Sequence, residues 1–443
     1  MDNRAAGPSP TLTRRGALRL ACAGGLALAA SASDISWLTG AARGGYRAPS
    51  ASLVRRPLIE AYFTRRSYAP GQSATLLARA NAAQVVLQIF RIGPSSRSAA
   101  GGPIAGAPVT DAVTYRWRGK SDRWQPVALD VHYWPSGVYV ARLKPPRGPA
   151  AFAPFVVRSD RFGSTRTAVV LPTNTWQAYN HRDDNGDGIG DTWYATTAIK
   201  TVRLNRPFQP PGLPPFFRRY DLGFLRWMDR TGRDADYLTD DDLDNVPSGD
   251  VLAASYDLIV FPGHHEYVTS HQYDVIERFR DLGGNLMFLS ANNFFYRVRR
   301  SGQAIVRAER FRDLGRPEAA LMGAQYATWN QNRYRNQPYR VTGTHREGWI
   351  FEGTGLRNGD RFGNFGIEID ARTPASPPGT RQLAEIPNIF GPGRTAEMTY
   401  YTTPRGAKVF SAGAFTLGGS AHLHPTSVIL SNLWDSMAAG LRP

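Results

Sequence analysis

The stretch from Tyr256 to Leu289 constrains the fold of this 443-residue chain more than any other. A continuous apolar run, Leu258-Ile259-Val260-Phe261, precedes an amphipathic helical spacing over Ser270–Leu282. Gly283-Gly284 ends that helix, and a second apolar run follows over Asn285–Leu289. A strand with no polar alternation must be covered on both faces, and a helical crossover makes its neighbour parallel. The pattern therefore predicts an α/β domain built on a parallel sheet. Thr167–Pro172 and Ala235–Thr239 read as further strands, and Phe216–Gly232 carries apolar residues at mixed helical spacing. Beyond Arg299 strands are expected at Tyr339–Thr342, Trp349–Phe351, Gly366–Ile369 and Val409–Ala412, with a closing helix over Thr426–Ala438. The acidic run Asp240–Asp244 follows a strand and is expected to open a short helix, a structural role, because helix N-termini favour carboxylates.

The segment 57–158 has a different rhythm. Short alternating runs (Leu58–Phe63, Ala74–Ala80, Val85–Arg91, Trp124–Leu129, Gly137–Leu143 and Phe152–Val157) are separated by turns such as Ala69-Pro70-Gly71. About 100 residues of this spacing predict an immunoglobulin-like β-sandwich, with Gly93–Pro108 as an inserted loop. Residues 33–56, rich in Ala, Gly, Ser and Arg, read as a linker. Residues 1–32 read as a twin-arginine export signal: Arg14-Arg15, an apolar run from Leu20 to Ala32, and the small-residue cleavage site Ala30-Ser31-Ala32. The expected destination is the periplasm or the extracellular space. The one cysteine, Cys22, lies in that signal, which excludes a disulfide scaffold and a cysteine nucleophile from the processed chain. No later apolar run approaches the ~20 residues of a membrane span. The formal charge of +17 comes from dispersed arginines rather than a basic block interleaved with aromatics, so no nucleic-acid partner is expected.

Three loops follow three strand ends: Pro172–Asn180, Pro262–Tyr267 and Ser290–Asn293. In an open α/β sheet ligand groups collect there. The His264-His265-Glu266 step is a candidate catalytic element, and its Glu and His could equally cap the following helix.

Taken together, Thr175-Trp176-Gln177-Ala178-Tyr179-Asn180, Gly263-His264-His265-Glu266-Tyr267, Gly283-Gly284-Asn285-Leu286, Ser290-Ala291-Asn292-Asn293 and Gly366-Ile367-Glu368-Ile369-Asp370 resemble the C-terminal domain of the N,N-dimethylformamidase large (beta) subunit family. The likeness runs from about Thr167 to Leu441. It implies a glutamine-amidotransferase-like (flavodoxin-like) fold without the cysteine nucleophile, and a mononuclear iron held by two tyrosines and a glutamate. Carried over by motif, these are Tyr179, Tyr220 and Glu266, with Tyr220 placed at the start of the predicted helix. His264 would be either a group supporting the ligands from behind or the acid–base group, Asn292 would orient the substrate, and Glu368 would be a further carboxylate. A phenol titrates near 10, so two phenolates need a strong Lewis acid. With one carboxylate they supply three negative charges, which suits Fe³⁺ better than Zn²⁺. Such an ion would acidify water and polarise an amide.

The stretch after Tyr179 departs from that family. Asp183, Asn185, Asp187, the Ile189 carbonyl and Asp191 follow the first nine positions of an EF-hand calcium loop, with Tyr194 where the bidentate Glu would stand. Calcium is one reading of the loop and a solvated acidic turn is the other. The expected function is metal-assisted hydrolysis of a C–N bond in a small amide, with a small subunit or a second copy as possible partner. The alternative is a non-catalytic, calcium-stabilised cell-surface or carbohydrate-binding protein whose loop aromatics stack on sugars. Hydrolysis of an ester or a glycoside is a third option.

Overall fold

The computed structural model describes residues 59–93, 104, 106–116, 121–194 and 198–439. The expected export signal, the linker and most of the Gly93–Pro108 loop lie outside these residues. All described residues belong to one compact unit, Pro49–Pro443.

The Leu258–Phe261 strand sits inside a sheet of parallel strands. The order is Asp236–Thr239, Thr167–Leu171, Leu258–Phe261, Asn285–Phe288 and Lys408–Ser411, each pair parallel. The sheet then continues antiparallel through Ala396–Thr402, Arg381–Ile386, Gln337–Val341, Arg361–Ala371 and Gln325–Trp329. Side chains alternate across the parallel part. Val169, Leu171, Leu258, Val260 and Met287 join one core, whereas Ala168, Val170, Ile259, Phe261 and Phe288 join another on the opposite face. This two-sided burial is why the strands read as unbroken apolar runs.

Helix Ser270–Asp281 covers one face with Tyr273, Ile276 and Phe279. It opens with a reciprocal Thr269–Gln272 capping box and stops before Gly283, whose φ of 99° suits glycine. Helix Thr426–Ala438 covers the other face with Ile429, Leu430, Leu433 and Met437.

Before this region lie two facing sheets. One has three antiparallel strands, Ile59–Phe63, Ser73–Ala80 and Ser121–Asp130. The other contains Ser67–Tyr68, Ala151–Val157, Gly137–Lys144, Gln84–Ile92, Gly106–Pro108 and Val113–Arg116. Leu76, Leu87, Ile89, Tyr139 and Phe155 fill the space between them. The second sheet is buried on its outer face too: Phe90, Val138, Val140 and Phe152 join the same core as Leu225, Met228 and Val169.

Several local expectations change. Gly106–Pro108 is a strand paired with Phe90–Ile92, not loop. Gly348–Phe351 is a 3-10 turn rather than a strand, since three bulky residues are too few to fix a period and burial of Ile350 and Phe351 decides. The Phe216–Gly232 segment splits at Asp221 into Phe217–Tyr220 and Leu222–Arg230, which puts Tyr220 at the end of a short helix instead of the start of a long one. Asp240–Asp244 forms the expected short helix, capped by Thr239 and Asp242. Among the described residues no helix is long and apolar enough to cross a membrane.

Candidate active site

Tyr179 terminates helix Thr173–Ala178, which starts directly after the Thr167–Leu171 strand. Pro172 at the helix entry has no side-chain acceptor, so the orphan donors of the first turn need one from elsewhere. Asp240, just past the neighbouring strand, supplies it: its Oδ2 accepts from the Asn174 N–H at 2.7 Å and from the Thr173 hydroxyl at 3.1 Å. Burial pushes the Asp240 carboxyl up to about 7, against the Asn174 hydrogen bond. At the other end of the helix the Tyr179 hydroxyl contacts Glu266 Oε2 directly. It also accepts from the Tyr267 hydroxyl at 3.3 Å.

The second loop leaves the Leu258–Phe261 strand through Pro262-Gly263. A Cβ at Gly263 would stand 2.7 Å from Asp221 Oδ1 and 3.0 Å from Pro172 Cγ, so only glycine lets the first two strand-end loops and Asp221 meet. His264 and Glu266 are both buried. His264 Nε2 lies 3.4 Å from Glu266 Oε2 and 3.7 Å from Glu368 Oε2. Burial, aided by the neighbouring His265, pushes the His264 imidazole down to about 3 and keeps it neutral.

The third loop is laced to the second: the His265 N–H donates to Asn293 Oδ1 at 2.9 Å and the Tyr296 N–H to the Glu266 carbonyl at 2.9 Å. Asn292 donates from Nδ2 to Glu368 Oε2 at 2.8 Å and from its N–H to Asp370 Oδ1 at 2.8 Å. Glu368 is aimed by an irregularity in its strand. Pairing slips on both sides, between Gly366 and Ile369 and between Tyr326 and Thr328, and Ile367 has a φ of 72°. Bulges re-aim side chains next to functional sites, and a β-branched residue at positive φ is a costly conformation. Asn292 (φ 55°), Phe216 (φ 56°) and Thr416 (φ 78°) share that sparsely populated region, and each belongs to or borders a residue of this cluster.

Tyr220 is half-buried and joins the cluster through Phe415, whose ring lies 5.5 Å from that of Tyr220 and 4.5 Å from that of His264. Burial and the Glu368 carboxylate raise the Tyr220 phenol, opposed by Arg219. The Tyr220 helix is held in place by Gly419, where a Cβ would fall 1.7 Å from the Arg219 carbonyl oxygen. The structure thus joins Tyr179, Glu266, His264, Glu368 and Asn292 by direct contacts and adds Tyr220 through an aromatic bridge. Two of the cluster's polar atoms, His264 Nε2 and Asn292 Oδ1, are buried with no hydrogen-bond partner. An ordered water, an ion or a ligand is what such atoms can take up.

The sequence reading gives Tyr267 and Phe415 no role in the site, and it meets Tyr194 only as the residue at the glutamate position of the acidic loop. Tyr267, directly after Glu266, was within reach of the motif. Tyr194 and Phe415 lie on segments with no spacing that ties them to the other loops.

The acidic loop is exposed from Asn185 to Ile189. Asp183 accepts from the Gly186 and Gly188 N–H groups at 2.6 and 2.8 Å, Asn185 from Asp187 at 2.9 Å, Asp187 from Ile189 at 2.7 Å, and Asp191 from Asp184 at 2.7 Å. Its carboxylates are therefore bonded to the loop's own backbone. Among the described residues no group of three or more His, Cys, Asp or Glu side chains is gathered as a metal site, so an ion at the Tyr179–Glu266 cluster would depend on phenols.

A mixed α/β protein with an oxygen-rich polar cluster beyond the carboxyl ends of its parallel strands is the class defined so far. Residues 88–426 match the family described as N,N-dimethylformamidase beta subunit-like, C-terminal, and the chain belongs to it. The match begins inside the N-terminal sheets, earlier than the motifs near Thr167. No curated protein matches the chain. Among solved structures, similarity is found to an alkylpurine DNA glycosylase of Pseudomonas fluorescens bound to DNA containing an abasic-site analogue, at 12% identity and a TM-score of 0.15, over 30% of this chain and 37% of that one. A cycloisomaltooligosaccharide glucanotransferase of Paenibacillus sp. complexed with cycloisomaltoheptaose is similar at 9% identity and a TM-score of 0.18, over 80% and 68%. The chain thus spans 37% of the length of the first of these proteins.

Proposed function

We propose that the chain is an exported hydrolase of small amides, working at the cluster of Tyr179, Tyr220, Glu266, His264, Asn292 and Glu368. The observation that carries this reading is the convergence of a phenol, two carboxylates, a neutral imidazole and a carboxamide on one buried spot, in a member of the dimethylformamidase β-subunit family.

The donor set fits a hard, highly charged cation. Phenol and carboxylate oxygens are hard ligands, and the unpartnered His264 Nε2 and Asn292 Oδ1 leave polar valence for what the ion brings with it. Tyr179, Tyr220 and Glu266 would hold ferric iron, which when bound supplies Lewis acidity toward an amide carbonyl and toward water.

The chain's own residues supply the rest. Asn292 Oδ1 accepts the N–H of a substrate amide, while its Nδ2 stays on Glu368 and keeps the carboxamide oriented. Neutral His264 takes a proton from the attacking water and returns it to the departing nitrogen. A C–O bond forms, the C–N bond breaks, and the proton leaves with the amine. Glu368, within 3.7 Å of His264, stabilises the imidazolium while it carries that proton. Packing of Phe415 against His264 and Tyr220 excludes bulk water from the exchange.

The test is a screen of simple formamides and acetamides for amine release by the full-length, iron-replete protein, with elemental analysis of the same sample. Amine release that tracks iron content is the expected result. Iron-free protein that hydrolyses nothing and binds sugars would favour the non-catalytic alternative. The family's β-subunit description also leads us to propose a companion subunit, and co-purification from the native host is the check.

A further inference from the structure

Tyr194 stands where the acidic loop returns to the site. Its ring stacks on Tyr179 with centroids 3.7 Å apart and planes at 21°. The Tyr194 ring also lies parallel to that of His181, with centroids 5.5 Å apart.

The loop's tip does not set this position. The Trp193 N–H and Thr192 Oγ1 donate to the Ala178 carbonyl at 2.9 and 2.8 Å, and the Asp191 N–H donates to that of Arg182 at 2.7 Å. Buried Arg206 bridges the two legs, donating to the carbonyls of Gln177 at 2.9 Å and Asp191 at 2.7 Å. Tyr194 is therefore clamped to the helix end that carries Tyr179, and its ring covers one face of Tyr179.

We infer that Tyr194 is a specificity-determining wall of the site, restricting it to amides with small N-substituents. The inference rests on the amide-hydrolase reading. A phenol packed face to face on a fixed neighbour cannot yield to a bulky group without losing the stack, whereas an N-methyl group needs no such displacement. Pocket walls of this kind change the preference between related substrates by roughly ten- to two-hundredfold.

The experiment compares wild type, Tyr194→Phe and Tyr194→Ala, each as the full chain, on N-methyl- and N-phenylformamide. Both kcat/KM and calorimetric Kd are measured. Tyr194→Ala is expected to raise the phenyl-to-methyl ratio at least about tenfold, and Tyr194→Phe to keep the wild-type ratio. A variant with wild-type thermal stability and an unchanged ratio in both assays would overturn the inference. Wild type that binds the amides but turns over none would sink the hydrolase reading alone, because the binding ratio still reports on the wall.

Discussion

His264 has two carboxylates within 3.7 Å of its Nε2 and yet is held neutral by burial. That combination suits a group which must accept a proton in the reaction and hold it only briefly. Replacing it with alanine is expected to lower kcat by roughly 10²-fold or more, the usual scale for a lost acid–base group, with KM nearly unchanged; steady-state kinetics on whichever amide proves best would check this. A loss confined to KM would make His264 a binding residue. Glu368 makes a milder prediction at the same scale. Glu368→Gln keeps a partner for Asn292 Nδ2 through its amide oxygen but removes the charge beside His264, so kcat should fall while the thermal midpoint stays close to wild type.

The strand-end loops depend on contacts between elements that no single segment encodes. The Asp240 carboxylate serves as the missing cap of the Tyr179 helix, with a folded pKa of about 7 against an ordinary value of 3.8. A carboxyl raised in this way favours the fold fully below about 4, and the contribution declines as pH rises through 7. The stability difference between wild type and Asp240→Asn, followed by denaturant unfolding, should therefore shift in the variant's favour by more than about 1 kcal/mol from pH 5 to pH 8. A pH-independent difference would contradict the buried-carboxyl account. Gly419→Ala, by forcing a Cβ onto the Arg219 carbonyl, should destabilise by roughly 1–3 kcal/mol and displace Tyr220.

At this scale the sequence was uneven as a guide. Continuous apolar runs located the parallel strands because period and burial coincide there. The family resemblance pointed to Tyr179, His264, Glu266 and Asn292, and short loops keep those residues together at the sheet edge. Glu368 came into the sequence reading through the family resemblance alone; its direction depends on the Gly366–Ile369 irregularity, and a pairing slip has no signature in one strand's own residues. Tyr194 was noticed as the residue in place of a calcium ligand, whereas its stacking on Tyr179 follows from Arg206 and the Ala178 carbonyl, contacts that local spacing does not reveal.

For the whole molecule, the core shared by Phe90, Val138, Val140 and Phe152 with Leu225 and Met228 joins the N-terminal sheets to the α/β region. Buried apolar area contributes about 25 cal/mol per Å², so a fragment covering residues 159–443 alone would expose a large unsatisfied face. It is expected to aggregate or to bind hydrophobic dyes on expression, as seen by size-exclusion chromatography; a monodisperse, cooperatively folding fragment would contradict that reading of the shared core.

The central claim is that Tyr179 and Tyr220 join Glu266 around one ferric ion in the intact chain. Its most direct test is the visible absorption spectrum of the full-length, iron-loaded protein beside that of Tyr179→Phe at equal iron content. A phenolate-to-iron band present in wild type and weakened or lost in the variant is the predicted result. Iron-loaded wild type without such a band, or a band untouched by Tyr179→Phe, would contradict it.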